Sequence, residues 1–303
     1  MPRQADSKRL CLSVLDLCKR PHGASAREAL RNSVRLASLA EELGYSRYWI
    51  AEHHTSDAAQ ASPEVLIPMI AAATKRIRVG AGGILLRYQS PLKVAESFMT
   101  LAAMFPGRID LGICHGPGGT DDATAVALVD GNIDELSWAS YARKVGALAA
   151  FLKEGRRAGR SESERRWQAS GIKPPPLWIL GSSEYSLNLA LAERCRYGFT
   201  MVFGCSAEYG ARIMKQYRRA RIGDERILAV SVLCARTSAT ACRIHRDLVQ
   251  GGCLPSNVVG SPADCRRILE RLARDFQTRE IMMTTFIDDY DSRAEFLRMM
   301  APR

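Results

Sequence analysis

Tyr48-Trp49-Ile50-Ala51-Glu52-His53-His54 is the stretch on which the fold reading turns. Aromatic and β-branched residues run directly into a Glu-His-His cluster, and Thr55-Ser56-Asp57 then breaks the run. The pattern predicts a buried strand over 48–54 whose last residues carry chemistry. Helical periodicity precedes it over Ala26 to Leu43, with Leu30, Val34, Ala37, Leu39, Ala40 and Leu43 roughly on one face and Gly44 as the stop. A second helix opens at Ser62-Pro63-Glu64, where Ser caps, Pro takes the first turn and Glu favours the positive end of the helix dipole. The strand is therefore one beat of a βαβ series. Titratable residues at the carboxyl end of such a strand stand where barrel enzymes build their sites. A hydrogen-bonded His pair on a solvated loop is the plainer alternative.

Working outward, further strands are expected at Leu10–Leu17, Ile77–Leu86, Ile109–Cys114, Leu177–Leu180, Gly198–Phe203, Ile227–Ala235 and Glu280–Ile287. Helices are expected at Pro91–Met104, Asp134–Leu152, Ser183–Cys195, Ala207–Ala220 and Ser238–Val249, with one ending at Phe276 and a terminal one from Ser292. Gly116–Gly131 reads as loop, Gly251-Gly252 and Ser261-Pro262 as a short break, and Lys153–Pro176 as a polar, Arg-rich insertion ending in three prolines. Eight strands each followed by helical pattern give an α/β fold of one domain over residues 1–303, a (β/α)8 TIM barrel with an insertion around 153–176. An open doubly wound sheet would want a glycine-rich fingerprint after the first strand, and Leu17-Cys18-Lys19-Arg20-Pro21-His22-Gly23 supplies none.

Composition narrows the function classes. A hydrophobic fraction of 47% and a charged fraction of 25% are those of an ordinary globular protein. The formal charge of +11 is spread along the chain without a separate basic run, which favours small anions over nucleic acid as partners. Nine cysteines with no C-x-x-C pair argue against both a zinc site and a disulfide framework, so no metal is expected. The first residues predict no signal peptide, and no apolar run approaches ~18 residues; a cytoplasmic protein off the membrane is the expectation.

Three further strand ends stand out. Gly80-Ala81-Gly82-Gly83 interrupts a good strand, either as a bulge or because a backbone or a flat ligand approaches closely. Cys114-His115-Gly116-Pro117-Gly118-Gly119 runs from a strand into a glycine-rich loop. Gly181-Ser182-Ser183-Glu184-Tyr185-Ser186 offers backbone N–H groups, hydroxyls and a helix N-terminus to an anion such as phosphate, although Ser at that position is also an ordinary N-cap.

With these stretches in view the chain resembles the bacterial luciferase-like flavin-dependent monooxygenases, most closely the subgroup found in antibiotic biosynthesis. The landmarks are Leu12-Ser13-Val14-Leu15-Asp16, the 48–54 stretch, Ser90-Pro91-Leu92-Lys93-Val94-Ala95-Glu96 and Phe105-Pro106-Gly107-Arg108-Ile109-Asp110-Leu111-Gly112. Leu180-Gly181-Ser182-Ser183, and Val259-Gly260-Ser261-Pro262 leading to Ile281-Met282-Met283-Thr284-Thr285, complete an ordered set. The resemblance implies a TIM barrel that uses FMN, as FMNH2 from a separate flavin reductase, to transfer one oxygen atom from O2 to a small organic substrate. It implies His53 as the catalytic histidine beside the oxygen-reactive edge of the flavin. It implies a non-proline cis peptide at Gly82-Gly83 against the ring, Cys114 as a thiol near the ring, and Gly181, Ser182, Ser183 and Tyr185 around the phosphate. At His115 the family usually has an Arg that meets the cofactor, and Arg87-Tyr88-Gln89 stands where relatives often carry Pro-Asn-His. A deazaflavin (F420) dehydrogenase and a non-catalytic flavin-binding protein are the alternatives on the same barrel. Helices 63–74 and 91–104, apolar on most sides, together with the resemblance, predict a homodimer.

Overall fold

The computed structural model describes residues 10–153, 171–220 and 225–302. Of the insertion expected around 153–176, residues 154–170 lie outside the described residues. Among the described residues nine strands follow one another as β1 (Cys11–Asp16), β2 (Arg47–Ile50), β3 (Arg78–Leu85), β4 (Ile109–Cys114), β5 (Leu177–Gly181), β6 (Arg196–Thr200), β7 (Arg226–Cys234), β8 (Val258–Gly260) and β9 (Glu280–Thr284). Every named pairing is parallel. The order runs from β1 through β7, then to β9 and back to β1, so eight strands close a (β/α)8 barrel as expected.

The ninth strand was not anticipated. β8 is three residues that pair with the end of β7, Val232 opposite Val258. Three residues are too few for a period-2 pattern to show, which is why the sequence reads there only as a break.

Most helices obey their cap signals, but the Ser62 expected to cap α2 makes no side-chain cap bond. α1 (Ala26–Glu42) starts where the Ser25 hydroxyl accepts from the Glu28 N–H, and it buries Ala29, Ser33, Leu36, Ala37 and Ala40. α2 (Pro63–Ala73) and α3 (Pro91–Met104) both carry Pro in the first turn. The segment expected as loop contains α4 (Asp122–Leu128), capped by Asp121. The helix expected over 134–152 is broken. A 3-10 turn at Ile133–Leu136 precedes α5 (Trp138–Lys153), and the Ser137 hydroxyl accepts from the Ser140 N–H to start it. α6 (Glu184–Ala192), α7 (Ala207–Arg219), α8 (Ser238–Gln250), α9 (Pro262–Asp275) and α10 (Tyr290–Met300) complete the outer layer.

Two cores result. The larger lies between the strands and the helices, with Tyr48, Ile67, Phe98, Leu111, Tyr197 and Phe276 among its members. The smaller fills the barrel with Trp49, Trp178, Ile227, Ala229 and Met282, joined by Leu15 and Leu180. Trp49 and Trp178 meet edge to face at 5.5 Å between ring centres. Two such rings occupy room that glycines elsewhere leave open: a Cβ at Gly82 would come 2.8 Å from Leu15 and 3.0 Å from Trp49. Beneath this layer Arg47, Asp110, Arg78 and Glu280 form a paired charge cluster at the amino ends of the strands.

Candidate active site

The strand expected over 48–54 ends at Ile50, so Glu52, His53 and His54 stand in the loop just beyond it. That loop is held at several points. The Ala51 N–H donates to the Asp16 carbonyl at 3.0 Å, the His54 N–H to the Gly118 carbonyl at 3.3 Å, and the Gln60 amide to the Ala51 carbonyl at 2.6 Å. The Glu52 carboxylate is fully buried and accepts from the Leu85 N–H at 2.9 Å and the Gln89 amide at 3.3 Å, which ties the end of β2 to the end of β3. His54 Nε2 lies 3.0 Å from the same carboxylate, and its ring meets Tyr88 edge to face.

The Glu-His-His cluster therefore divides. His54 is the bonded histidine of the plainer reading, whereas His53 Nδ1 is buried with no partner. Burial, reinforced by the nearby Lys19 ammonium, holds the His53 imidazole below its ordinary pKa, so the ring is neutral near pH 7. Lys19 is in turn paired with Asp57 at 2.8 Å over the same loop. A neutral imidazole with an unclaimed nitrogen at a barrel mouth can accept or return a proton.

At the ends of β3 and β4 the Gly82-Gly83 peptide is cis. The β3–β4 register also shifts between Ala81 and Ile84, so the bulge reading and the close-approach reading hold together. A Cβ at Gly83 would come 2.9 Å from the Gly112 backbone, so the missing side chains let two strands approach. Cys114 points its thiol at the Gly83 carbonyl, 3.9 Å away. Burial, then the Glu52 charge, pushes that thiol up to about 12, so it remains protonated and is an apolar wall rather than a nucleophile.

His115 lies in an aromatic cluster. Its ring stacks on Trp138 at 3.5 Å with an 11° tilt and meets the edge of Tyr141 at 5.0 Å. Burial, then the Arg87 charge, pulls its pKa down to about 4, so it is uncharged at neutral pH. Arg87 donates to the Leu136 carbonyl at 2.8 Å, and its own carbonyl accepts from Lys144 at 2.6 Å. Sequence reasoning singled out Arg87 beside His115 but did not place Trp138, Tyr141 or Gln60 in the site. The available signal was the Trp138/Tyr141 pair three residues apart at a helix start beside the glycine-rich loop.

The 181–186 turn is reached through the same cluster, because Tyr185 leans on Trp138 and its hydroxyl donates to the Trp138 carbonyl at 3.1 Å. Here the N-cap reading is realised: Ser183 and Ser186 form a reciprocal capping box at the start of α6. The Glu184 N–H donates to the Tyr209 hydroxyl at 3.2 Å, and Cys205 points its thiol at the Ser182 carbonyl. Gly181 is needed because a Cβ there would sit 2.5 Å from the Ser186 side chain. Glu184, which reads as out of place beside an anion, faces Arg212 at 3.5 Å.

Among the described residues, eight buried side-chain atoms lack a hydrogen-bond partner. Six of these belong to the mouth: His53 Nδ1, Gln60 Oε1, Arg87 Nε, His115 Nε2, Tyr141 Oη and Thr284 Oγ1. Among the same residues no cluster of His, Cys, Asp and Glu could hold a metal ion, and no helix is long and apolar enough to cross a membrane.

A family profile described as luciferase-like monooxygenase matches residues 12–296. The chain belongs to the luciferase-like monooxygenase family. It is 32% identical over 331 residues to YceB of Bacillus subtilis (strain 168), covering 96% of this chain and 98% of that protein. It is 35% identical over 217 residues to the N-acetyl-S-alkylcysteine monooxygenase of the same organism, covering 69% of this chain and 61% of the relative. Among solved structures, apo-MsnO8 superposes with a TM-score of 0.85 at 32% identity, covering 97% of this chain and all of that one. Two more distant solved structures share the fold. They are the FMN complex of the oxygenating constituent of 3,6-diketocamphane monooxygenase from Pseudomonas putida, with a TM-score of 0.75 at 20% identity, and an F420-dependent secondary alcohol dehydrogenase, at 0.68 and 13%. As a member of this family the chain is a flavin-dependent monooxygenase.

Proposed function

We propose that this luciferase-like chain is the oxygenase component of a two-component FMNH2-dependent monooxygenase, served by a separate flavin reductase. It transfers one atom of O2 to a small organic substrate in the cytoplasm, and its subgroup resemblance supports a place in secondary metabolism. The observation that carries the reading is the concentration of unpartnered buried polar atoms at the barrel mouth, in a molecule whose other buried polar groups are largely satisfied by one another. A polar, partly flat ligand fits that surface. The mouth offers a protonated thiol at Cys114, the Gly82-Gly83 backbone and the faces of Trp138 and Tyr185 beside the six unclaimed atoms.

Reduced FMN, when bound, supplies the two electrons that activate O2, so that one oxygen atom enters the substrate and the other leaves as water. The chain's own residues do the rest. Gly82, Gly83 and Cys114 line the ring, and the 181–186 turn with Gly181, Ser182, Ser183 and Tyr185 holds the phosphate at the N-terminus of α6. His53 Nδ1 holds or moves a proton at the reacting edge, and Glu52 fixes the loop that presents it. The Trp138–Tyr185 pair over His115 excludes water from the pocket. The protein acts as a homodimer through α2 and α3, whose outward side chains Val65, Met69 and Met104 are 69%, 61% and 61% exposed.

Trp138 provides the test, since it lies in the site and half-exposed. FMN should quench its fluorescence saturably, and a Trp138→Phe variant should lose most of that quench. Saturable binding of F420 with none of FMN would move the chain to the deazaflavin dehydrogenases. Binding of neither would reject the reading.

A further inference from the structure

The segment that brings His115 and Trp138 together is thinly seated. Among the described residues from His115 to Ser140, Ala125 alone is buried, and it shares a small core with Leu85 and Tyr88. So little apolar burial leaves much of the segment's placement to polar ties. One of these ties is Lys144 on α5, a lysine only 7% exposed. A buried ammonium is costly unless it is paired, and this one has two partners. Its Nζ donates to the Arg87 carbonyl at 2.6 Å and lies 3.0 Å from Glu135 Oε2.

The two partners belong to different walls of the mouth. Glu135 sits in the 3-10 turn just before Trp138, where it also accepts from the Ser140 hydroxyl at 2.6 Å and faces Arg143 at 2.9 Å. Arg87 sits in the 3-10 turn Leu86–Tyr88 that follows β3, and its guanidinium donates to the Leu136 carbonyl at 2.8 Å. The ties thus close a ring from Arg87 to Leu136, from Glu135 to Lys144, and from Lys144 back to Arg87. On one side of the ring, the Leu85 N–H and the Gln89 amide hold the Glu52 carboxylate next to His53 in the chain. On the other, Trp138 stacks on His115, and its carbonyl receives the Tyr185 hydroxyl. An apolar side chain could fill the place of Lys144 without the desolvation cost; what the cation adds is a fixed register between two turns.

We propose that Lys144 is a positioning residue of the oxygenase. Paired with Glu135, it locks the turn after β3 to the start of α5 and holds the Trp138 wall in place before the flavin arrives. The role rests on the FMN reading above, because that reading makes the wall a binding surface. A wall fixed beforehand spares the cofactor the cost of ordering it, so the lock contributes to affinity without touching the ligand.

The test combines near-ultraviolet circular dichroism with FMN binding by equilibrium dialysis, on wild type, Lys144→Met, Glu135→Ala and Glu135→Gln. The band missing from Trp138→Phe identifies the signal of Trp138 itself. Lys144→Met leaves Glu135 paired with Arg143, so its far-ultraviolet spectrum and melting temperature should stay close to those of wild type. Its Trp138 band should collapse, and its Kd for FMN should rise roughly tenfold or more, the scale of a lost hydrogen bond to a charged group. Glu135→Ala, at a side chain 28% exposed, should act in the same direction and less strongly. Glu135→Gln still offers an oxygen to the ammonium and should fall between Glu135→Ala and wild type. A wild-type band and affinity in both Lys144→Met and Glu135→Ala would overturn the role while leaving the flavin reading intact. Loss of the band only together with melting of the whole chain would also overturn it, since Lys144 would then serve the fold at large. Failure of wild type to bind FMN would reject the functional reading itself and the role with it.

Discussion

The two ends of the barrel are built from the same strands and treat polar groups in opposite ways. At the floor, Asp110 is fully buried and receives Arg47 at 2.7 Å, Arg78 at 2.6 Å and the Trp49 indole N–H at 3.2 Å. Glu280 receives Arg47 at 2.8 Å and the Ser13 hydroxyl. At the mouth the same β2, β3, β4 and β9 lead to His53, Arg87, His115 and Thr284, each with a buried atom that nothing in the chain completes. A cavity of about 430 Å3 opens near the floor among Arg78, Pro174, Pro175, Pro176, Arg196 and Glu225, yet no residue lining it carries an unpartnered buried atom. Unmet hydrogen-bonding capacity, more than hollow volume, is the ground on which the mouth is proposed as the ligand's end.

Breaking the floor should have the largest effect on folding. Asp110→Ala leaves two guanidinium groups and an indole N–H without their acceptor, and should cost about 3–5 kcal/mol in urea unfolding. A loss under about 1 kcal/mol would show that the floor charges are no better matched than the mouth's. Burial alone would raise the Asp110 pKa, but the Arg47 and Arg78 pairs outweigh it and hold the carboxyl below the usual range. A depressed carboxylate contributes stability above its unfolded pKa and loses it as pH falls through the folded one. Acid unfolding of wild type below about pH 4 should therefore be steeper than that of Asp110→Ala.

Breaking the mouth should spare the fold. His53→Ala should lower turnover by about 100-fold or more, near 2.7 kcal/mol of barrier, while unfolding shifts by less than about 1 kcal/mol. Full turnover would remove His53 from the chemistry. A smaller effect is expected at His115, whose pKa is pulled from 6.5 to about 4 on folding. A histidine depressed in this way contributes stability present above pH 6.5 that is lost as pH falls toward 4. Wild type should thus lose more stability than His115→Phe across that window, and parallel stability curves would contradict the buried neutral ring.

Smallest in folding energy, and outside both ends, is the α2/α3 face. Ile67 is fully buried, so a charge there would unfold the chain; Met69 is 61% exposed and is the position to change. Light scattering should give twice the 33.4 kDa chain mass for wild type and a shift toward one chain for Met69→Glu. A wild-type mass of one chain would reject the dimer.

The fold was legible because each βα unit carries two independent signals, an apolar strand and a capped amphipathic helix, and Ser25, Ser90 and Ser261 cap as their spacing says. β8 was missed because three residues carry no period, and the 134–152 helix was drawn through Ser137 because a 3-10 turn shares its local pattern. In the site, single strand-end residues such as His53 and Cys114 were legible by position. Trp138 and Tyr141 were not, because their contact with His115 joins separate segments that only the folded barrel brings together. The charge state of His115 was equally hidden, since it follows from burial and Arg87 rather than from residue type.

The central claim is that this mouth binds reduced FMN and governs its reaction with oxygen. Stopped-flow absorbance of FMNH2 mixed with O2, at rising concentrations of the protein, tests it most directly. The account predicts a protein-bound fraction that grows saturably, reoxidises on a time course distinct from free FMNH2, and slows or redirects differently in His53→Ala. Reoxidation identical to free FMNH2 at every protein concentration would contradict it.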